Sequence, residues 1–134
     1  MSGADLEAFR ERGQDLYPGL LGIEVTELEH GRARGELSIE KRHIAPNGYL
    51  HAGAVVSLAD TVCGYGCVAS LPEGRTNFTT IELKANFVSA ARSGTLSCDA
   101  RLVHGGRTTQ VWDATVSDGG GKSVALFRCT QLLL

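Results

Sequence analysis

Residues 51–69 read HAGAVVSLADTVCGYGCVA, and this stretch decides the fold. Its apolar residues recur at intervals of three and four, which is the spacing of one helix face. They are Val55, Leu58, Ala59, Val62, Gly66 and Ala69. Because the opposite face is scarcely more polar, the pattern predicts a helix that is buried nearly all round. Asp60, Gly64 and Gly66 interrupt the apolar run and argue against a membrane span.

Shorter segments flank this helix on both sides. A short leading helix is predicted over 4–14, ended by a break at 17–19. Alternation of apolar and polar residues, together with glycine-rich turns, predicts strands. The strands cover 21–29, 32–40, 76–88 (one long strand or a broken pair), 95–103, 107–117 and 122–133. A long helix segregated from an antiparallel meander indicates one α+β domain over residues 1–134, in which 1–19 form a leading helix and turn.

Composition sets limits on the function. The 134 residues are 43% hydrophobic and 21% charged, with a net charge of −2, which excludes a polycationic nucleic-acid binder. The chain is also too short for a (β/α)₈ barrel. With seventeen glycines in a small domain, much of the chain forms turns, and little interior is left for a large ligand. Gly64 and Gly66 lie within the helix, and we expect another backbone to approach the helix at these two positions. Four cysteines without a signal peptide predict a reduced, cytoplasmic setting, with the thiols as core residues and no metal site.

Asp60 is the first candidate for chemistry. It is the single formally charged side chain in the thirty residues between Arg42 and Glu73. An unpaired buried carboxylate costs several kcal/mol, so its place in an apolar helix points to a functional site. The alternative is that Asp60 bonds a neighbouring backbone group or points to solvent.

The start of the same helix is the second candidate. Unpaired N–H groups at a helix N-terminus, at His51-Ala52-Gly53, suit a carbonyl oxygen that becomes an oxyanion, and Gly53 would let a ligand approach. The alternative is an ordinary helix start capped by His51. On one helix His51 and Asp60 lie roughly 13 Å apart on opposite sides, so they cannot serve one small reaction centre. Two antiparallel copies across a two-fold axis could combine them. Two other histidines, His43 and His104, show no pattern that indicates a function.

The motifs resemble a known family. Asn47-Gly48-Tyr49-Leu50-His51-Ala52-Gly53, followed by Ser57-Leu58-Ala59-Asp60, is similar to the hotdog-fold acyl-CoA thioesterases of the phenylacetate-degradation and 4-hydroxybenzoyl-CoA types. Later segments agree, namely Thr80–Lys84, Asn86-Phe87 and Gly106–Thr109. The resemblance covers about residues 20–133. It implies a long central helix wrapped by an antiparallel sheet of about five to six strands.

The resemblance also implies roles for particular residues. The N–H groups near Ala52 and Gly53 would polarise the thioester carbonyl, and Asp60 of the other subunit would be the nucleophile or the general base. Thr80 would help to place water, and Asn47 would contact the carbonyl side of the thioester. Coenzyme A phosphates or pantetheine would meet Arg107 and Thr108. Without the resemblance, Thr80 is an ordinary strand former and Arg107 a solvated hairpin residue.

The chain departs from the family pattern at two positions. Ala52 replaces the first glycine of the His-Gly-Gly motif, and Ala45 stands where a polar residue usually lies six positions before the histidine. Asn47 is therefore offset by two positions from that polar residue.

The sequence as a whole predicts a cytoplasmic homodimer or homotetramer that hydrolyses an aryl- or medium-chain acyl-CoA to a free acid and coenzyme A. No metal, cofactor, nucleic acid or membrane is expected to take part, since coenzyme A belongs to the substrate. Tyr65 and Phe87 would suit the aryl or medium acyl group. The alternatives are a hotdog dehydratase acting on 3-hydroxyacyl thioesters and a non-catalytic acyl-CoA-binding module.

Overall fold

The computed structural model describes residues 3–134, with one long helix packed on a six-stranded antiparallel sheet. The helices are α1 (Gly3–Gln14), α2 (Tyr17–Leu21) and α3 (Ala52–Ala69). The strands are β1 (Ile23–Glu29), β2 (Arg32–Ser38), β3 (Phe78–Phe87), β4 (Thr95–Gly105), β5 (Thr109–Ser117) and β6 (Ser123–Leu133). Their order in the sheet is β1-β2-β4-β5-β6-β3. The predicted hotdog architecture is confirmed, and β1 and β3 are its edge strands.

The predicted burial of α3 is also confirmed. Leu58, Val62 and Trp112 of β5 are fully buried between the helix and one face of the sheet. The eighteen residues of α3 have a mean hydropathy of 1.4, which by length and composition would allow a membrane span. In this fold 61% of the helix is buried within the protein, as is typical of a core helix.

The N-terminal region differs from the prediction at 17–19. A second helix, α2, begins at Tyr17 where a break is expected. Pro18 is tolerated there because the first-turn N–H groups of a helix have no intrahelical acceptor. Gly22 ends α2 in a left-handed conformation with a φ of 79°. Because α2 includes Leu21, β1 begins at Ile23, two residues later than predicted.

A β-bulge at Ile81 reverses the alternation of β3. Thr80 pairs with Gln131 and Glu82 with Thr130, so Ile81 is the extra residue. Beyond the bulge Leu83 pairs with Cys129, whose side chain is buried on the helix side of the sheet. Directly paired residues share a face, so Thr80 and Leu83 both face the α3 side although they are three apart.

The two glycines within α3 make room for aromatic rings, and the expectation that another backbone approaches there is wrong. A Cβ on Gly66 would lie 2.6 Å from Cη2 of Trp112. A Cβ on Gly64 would lie 2.9 Å from Cζ of Phe78. The helix can settle this closely on the sheet because these positions lack side chains.

Candidate active site

The structure brings the side chain of Asp60 against β3 and β6. Thr80 Oγ1 lies 3.2 Å from Asp60 Oδ1 and 2.7 Å from Gln131 Oε1. Asp60 and Thr80 are half-buried, whereas Gln131 is fully buried. Asp60 therefore has a side-chain partner at the edge of the sheet, and neither capping of a backbone group nor free exposure to solvent describes it.

Burial raises the pKa of the Asp60 carboxyl above its ordinary value, and the hydrogen bond with Thr80 opposes part of that rise. The carboxyl thus holds a proton more readily than an exposed aspartate does. A carboxylate whose pKa has moved toward neutrality is better suited to accept a proton during a reaction near neutral pH.

His51 caps the N-terminus of α3, the helix that carries Asp60. Its Nδ1 accepts a hydrogen bond of 2.7 Å from the N–H of Gly53. A Cβ on Gly53 would lie 2.9 Å from that nitrogen, so the glycine makes room for the His51 ring. Ala52 is an exposed residue, and no hydrogen bond described among residues 3–134 has its N–H as the donor.

His43 holds the segment that leads to this helix start, a role that no sequence pattern indicates. Its imidazole is buried: Nδ1 accepts from the Glu40 N–H at 2.9 Å, and Nε2 donates to the carbonyl of Leu21 at 2.8 Å. The carbonyl of His43 in turn accepts the His51 N–H at 2.8 Å. His43 therefore fixes the position from which His51 and Ala52 enter α3.

Gln131 is a second residue that sequence reasoning missed. It lies next to Thr80 across the β3–β6 pairing, and it occupies a position of β6 where Phe127, Cys129 and Leu133 are buried on the same face. An amide at a core-facing position of an otherwise apolar strand is the signal that could have drawn attention to it.

The remaining predicted residues lie at the surface. Asn47 is exposed, and its Oδ1 accepts the N–H of Tyr49 at 3.2 Å, which forms a local turn. Arg107 and Thr108 are exposed in the β4–β5 connection, away from any described contact with Asp60. The carbonyl of Arg107 accepts a 3.0 Å hydrogen bond from Nε of Arg75, which brings a second guanidinium beside it.

A cavity of about 650 Å³ lies beneath α1. Arg10, Glu24 and Tyr65 are among the residues that line it, and neither Asp60 nor Thr80 does. The ring of Tyr65 packs edge-on against Phe9 at 4.9 Å, whereas Phe87 is exposed on the edge strand. The structure thus places Tyr65 and Phe87 in different surroundings, and it does not combine them at Asp60.

The thiols are core residues, as expected. All four cysteines are free and buried. Burial raises the pKa of Cys67 and of Cys98 to about 12, which disfavours the thiolate form at neutral pH. Within residues 3–134 no three His, Cys, Asp or Glu side chains are grouped as metal ligands.

Comparison with known proteins agrees with this architecture. The family model of the thioesterase superfamily matches residues 47–125, which include Asp60, Thr80 and the start of α3. A 1,4-dihydroxy-2-naphthoyl-CoA hydrolase of Listeria monocytogenes is 32% identical over 82% of this chain and 89% of its own. The proofreading thioesterase EntH of Klebsiella pneumoniae is 32% identical over 96% of this chain and 93% of its own.

The solved structures lead to the same class. A mutant of thioesterase PA1618 from Pseudomonas aeruginosa superposes with a TM-score of 0.90 at 29% identity, over 99% of this chain and 96% of that one. The chain therefore belongs to the thioesterase superfamily, and it is an enzyme of the thioester hydrolase class.

Proposed function

We propose that this enzyme hydrolyses an aryl- or medium-chain acyl-CoA to the free acid and coenzyme A, with Asp60 as the reacting carboxylate. The observation that carries the proposal is the half-buried Asp60 carboxyl, hydrogen-bonded to Thr80 at the sheet edge. Aryl substrates are supported by the relative from Listeria monocytogenes, which is named for 1,4-dihydroxy-2-naphthoyl-CoA.

The proposed chemistry needs one carboxylate and one oxyanion donor. Asp60 attacks the thioester carbon, or it removes a proton from a water that attacks it, while the Ala52 N–H at the positive end of α3 stabilises the developing oxyanion. The C–S bond then breaks and coenzyme A leaves as the thiolate. In the nucleophilic route the acyl group is left on Asp60 as an anhydride, and water hydrolyses it to the free acid and restores the carboxylate. Because the coenzyme A thiolate is a good leaving group, no strong general acid, metal or cofactor is required.

We further propose that Asp60 and Ala52 of one site come from different subunits. Eight residues of helix hold the two roughly 12 Å apart within a single chain. Support comes from β3, an edge strand whose outer backbone groups have no partner strand in the described chain. Leu83 and Phe87 face the α3 side beyond the bulge and are 41% and 47% exposed. An apolar edge of this kind is a suitable site for a second copy.

Arg107 and Thr108 are proposed to meet the coenzyme A phosphates or pantetheine. Their exposure leaves both side chains accessible, and Arg75 adds positive charge beside them. Guanidinium groups suit phosphate through paired N–H donors.

The test is thiol release from a panel of aryl- and aliphatic-CoA thioesters that includes 1,4-dihydroxy-2-naphthoyl-CoA. In Asp60→Asn we expect turnover to fall by about 10²- to 10⁴-fold, since the reacting carboxylate is lost and the shape is kept. Asp113→Asn is the matched control because Asp113 pairs with Arg128 on the outer face of the sheet. Near-normal hydrolysis by Asp60→Asn would contradict the proposal, and hydration of crotonyl-CoA would favour the dehydratase.

Mixing variants tests the shared site. Ala52→Pro removes the N–H donor at the first helical position, where proline is tolerated. Both single variants are expected to be nearly inactive, and a refolded equimolar mixture should regain about a quarter of native activity, because one site of each mixed dimer is complete. No recovery in a mixture shown to exchange subunits would place the whole site in one chain.

A further inference from the structure

We propose that Gln131 is a positioning residue that acts through Thr80. When Asp60 gains or loses a proton, the side-chain amide of Gln131 rotates, and the Thr80 hydroxyl can then accept a hydrogen bond from Asp60 or donate one to it. This inference rests on the proposed role of Asp60. The Thr80 hydroxyl has more acceptors than protons: Thr80 Oγ1 lies 3.2 Å from Asp60 Oδ1 and 2.7 Å from Gln131 Oε1. A threonine hydroxyl carries one proton and can donate to only one of them.

The observed orientation suits a protonated Asp60. When the Thr80 proton lies toward the nearer oxygen, Gln131 Oε1, the Thr80 oxygen is an acceptor. A protonated carboxyl can donate to that oxygen, which leaves a continuous chain from Asp60 through Thr80 to Gln131. The burial that raises the pKa of Asp60 favours the same protonated form.

An ionised Asp60 requires the opposite orientation. The carboxylate accepts only, so Thr80 must turn its proton toward Asp60. Two oxygens 2.7 Å apart without a proton between them repel, and Gln131 must then present Nε2 to Thr80. Half a turn of the amide achieves this without changing its shape, since the oxygen and the NH₂ group occupy equivalent positions.

The surroundings of Gln131 permit both orientations. Its Nε2 lies 3.5 Å from Sγ of Cys129, a weak donor and a weak acceptor, which can meet either end of the amide. The neighbouring Gln110, directly paired with Gln131 on β5, lacks this freedom. Gln110 donates to the Ser70 carbonyl at 2.9 Å and accepts from Nε1 of Trp112 at 2.8 Å, and both bonds demand one orientation.

The test measures the protonation of Asp60 and turnover separately. Carbon-13 NMR of the Asp60 carboxyl gives its titration midpoint without any substrate. Gln131→Met removes a partner of Thr80 in both protonation states, but the Thr80 hydrogen bond to the carboxylate is charge-assisted and loses more, so we expect the midpoint to rise by about one pH unit. The acid limb of the kcat/KM profile should move with it. We expect kcat to fall by about tenfold with KM nearly unchanged, because Gln131 does not touch substrate.

A double-mutant cycle separates this role from simple packing. If Gln131 acts through Thr80, adding Gln131→Met to Thr80→Val should produce little further loss of kcat. Gln110→Met is the matched control, and it is expected to lower stability while leaving the Asp60 midpoint in place. Should Gln131→Met not fold, Gln131→Leu provides the second variant, since it also removes the amide without adding a charge and should raise the Asp60 midpoint in the same way.

An unchanged or lowered midpoint in the folded variants would overturn the role of Gln131, as would additive losses in the cycle. An enzyme that cleaves none of the CoA thioesters but shows the raised midpoint would instead refute the proposed substrate class and leave the role of Gln131 supported.

Discussion

Gly66→Ala tests how closely α3 is seated on the sheet. The new Cβ would lie 2.6 Å from Cη2, 2.8 Å from Cζ3 and 3.1 Å from Cζ2 of Trp112. The ring cannot move aside freely, because it is fully buried and its Nε1 donates to Gln110, which itself bonds to Ser70. Relief of the clash must therefore come from a shift of α3 or from loss of a buried hydrogen bond.

The magnitude follows from two opposing contributions. Overpacking of a well-packed core costs about 1–3 kcal/mol, and the distances at Trp112 justify the upper end. Replacement of glycine by alanine within a helix returns about 1 kcal/mol. We expect Gly66→Ala to lower the free energy of unfolding by about 2 kcal/mol, which corresponds to a fall in Tm of about 8 °C for a chain of this size.

Gly64→Ala is the matched control on the same helix. Its Cβ would lie 2.9 Å from Cζ of Phe78, a ring that is only half-buried near the start of an edge strand and has no polar anchor. Phe78 can move away, so the clash and the gain in helix propensity should nearly cancel. Urea unfolding of both variants decides the matter. If Gly64→Ala loses as much unfolding free energy as Gly66→Ala, the immobility of the Trp112 ring is not what determines the loss in Gly66→Ala.

Two further outcomes concern the candidate site. Because burial raises the pKa of Asp60, the folded state holds more protons than the unfolded state between the ordinary and the raised pKa, and stability falls as pH rises through that window. In urea titrations across pH, Asp60→Asn should be more stable than the native chain above the window, and equal stabilities there would contradict the raised pKa. His51→Ala should lose about 1 kcal/mol of unfolding free energy because the Gly53 N–H loses its cap, and His51→Asn should restore most of it. Thermal unfolding of the two variants provides the comparison, and equal losses would show that the cap contributes nothing.

Much of the fold could be predicted because its signals are local. The three- and four-residue spacing within 51–69 depends on neighbouring residues alone, and it identifies a buried helix without knowledge of what covers it. The alternation that leads to Cys98, Ala100 and Trp112 likewise identifies core-facing strand positions. The sequence also shows that Asp60 is the one charged residue of an apolar helix. Because a buried carboxylate needs a partner, this position alone identifies Asp60 as a candidate site residue.

The bulge at Ile81 could not be predicted in the same way. Strict alternation along β3 would place Thr80, Glu82 and Lys84 on one face. The pairing with β6 inserts one extra residue and exchanges the faces, so that Leu83 joins Thr80 on the helix side. A bulge depends on how two strands fit together over their whole length, and neither strand alone carries that information.

The sequence by itself determined the buried central helix, the antiparallel sheet around it and the carboxylate that stands out within that helix. Only the tertiary structure decided what the carboxylate contacts. Thr80 lies 20 residues from Asp60 and Gln131 lies 51 residues from Thr80, and the three meet because β3 pairs with β6 beside α3. Periodicity is a property of neighbouring residues. The hydrogen bonds that join Asp60, Thr80 and Gln131 link three separate elements, and they form only when the sheet packs against the helix.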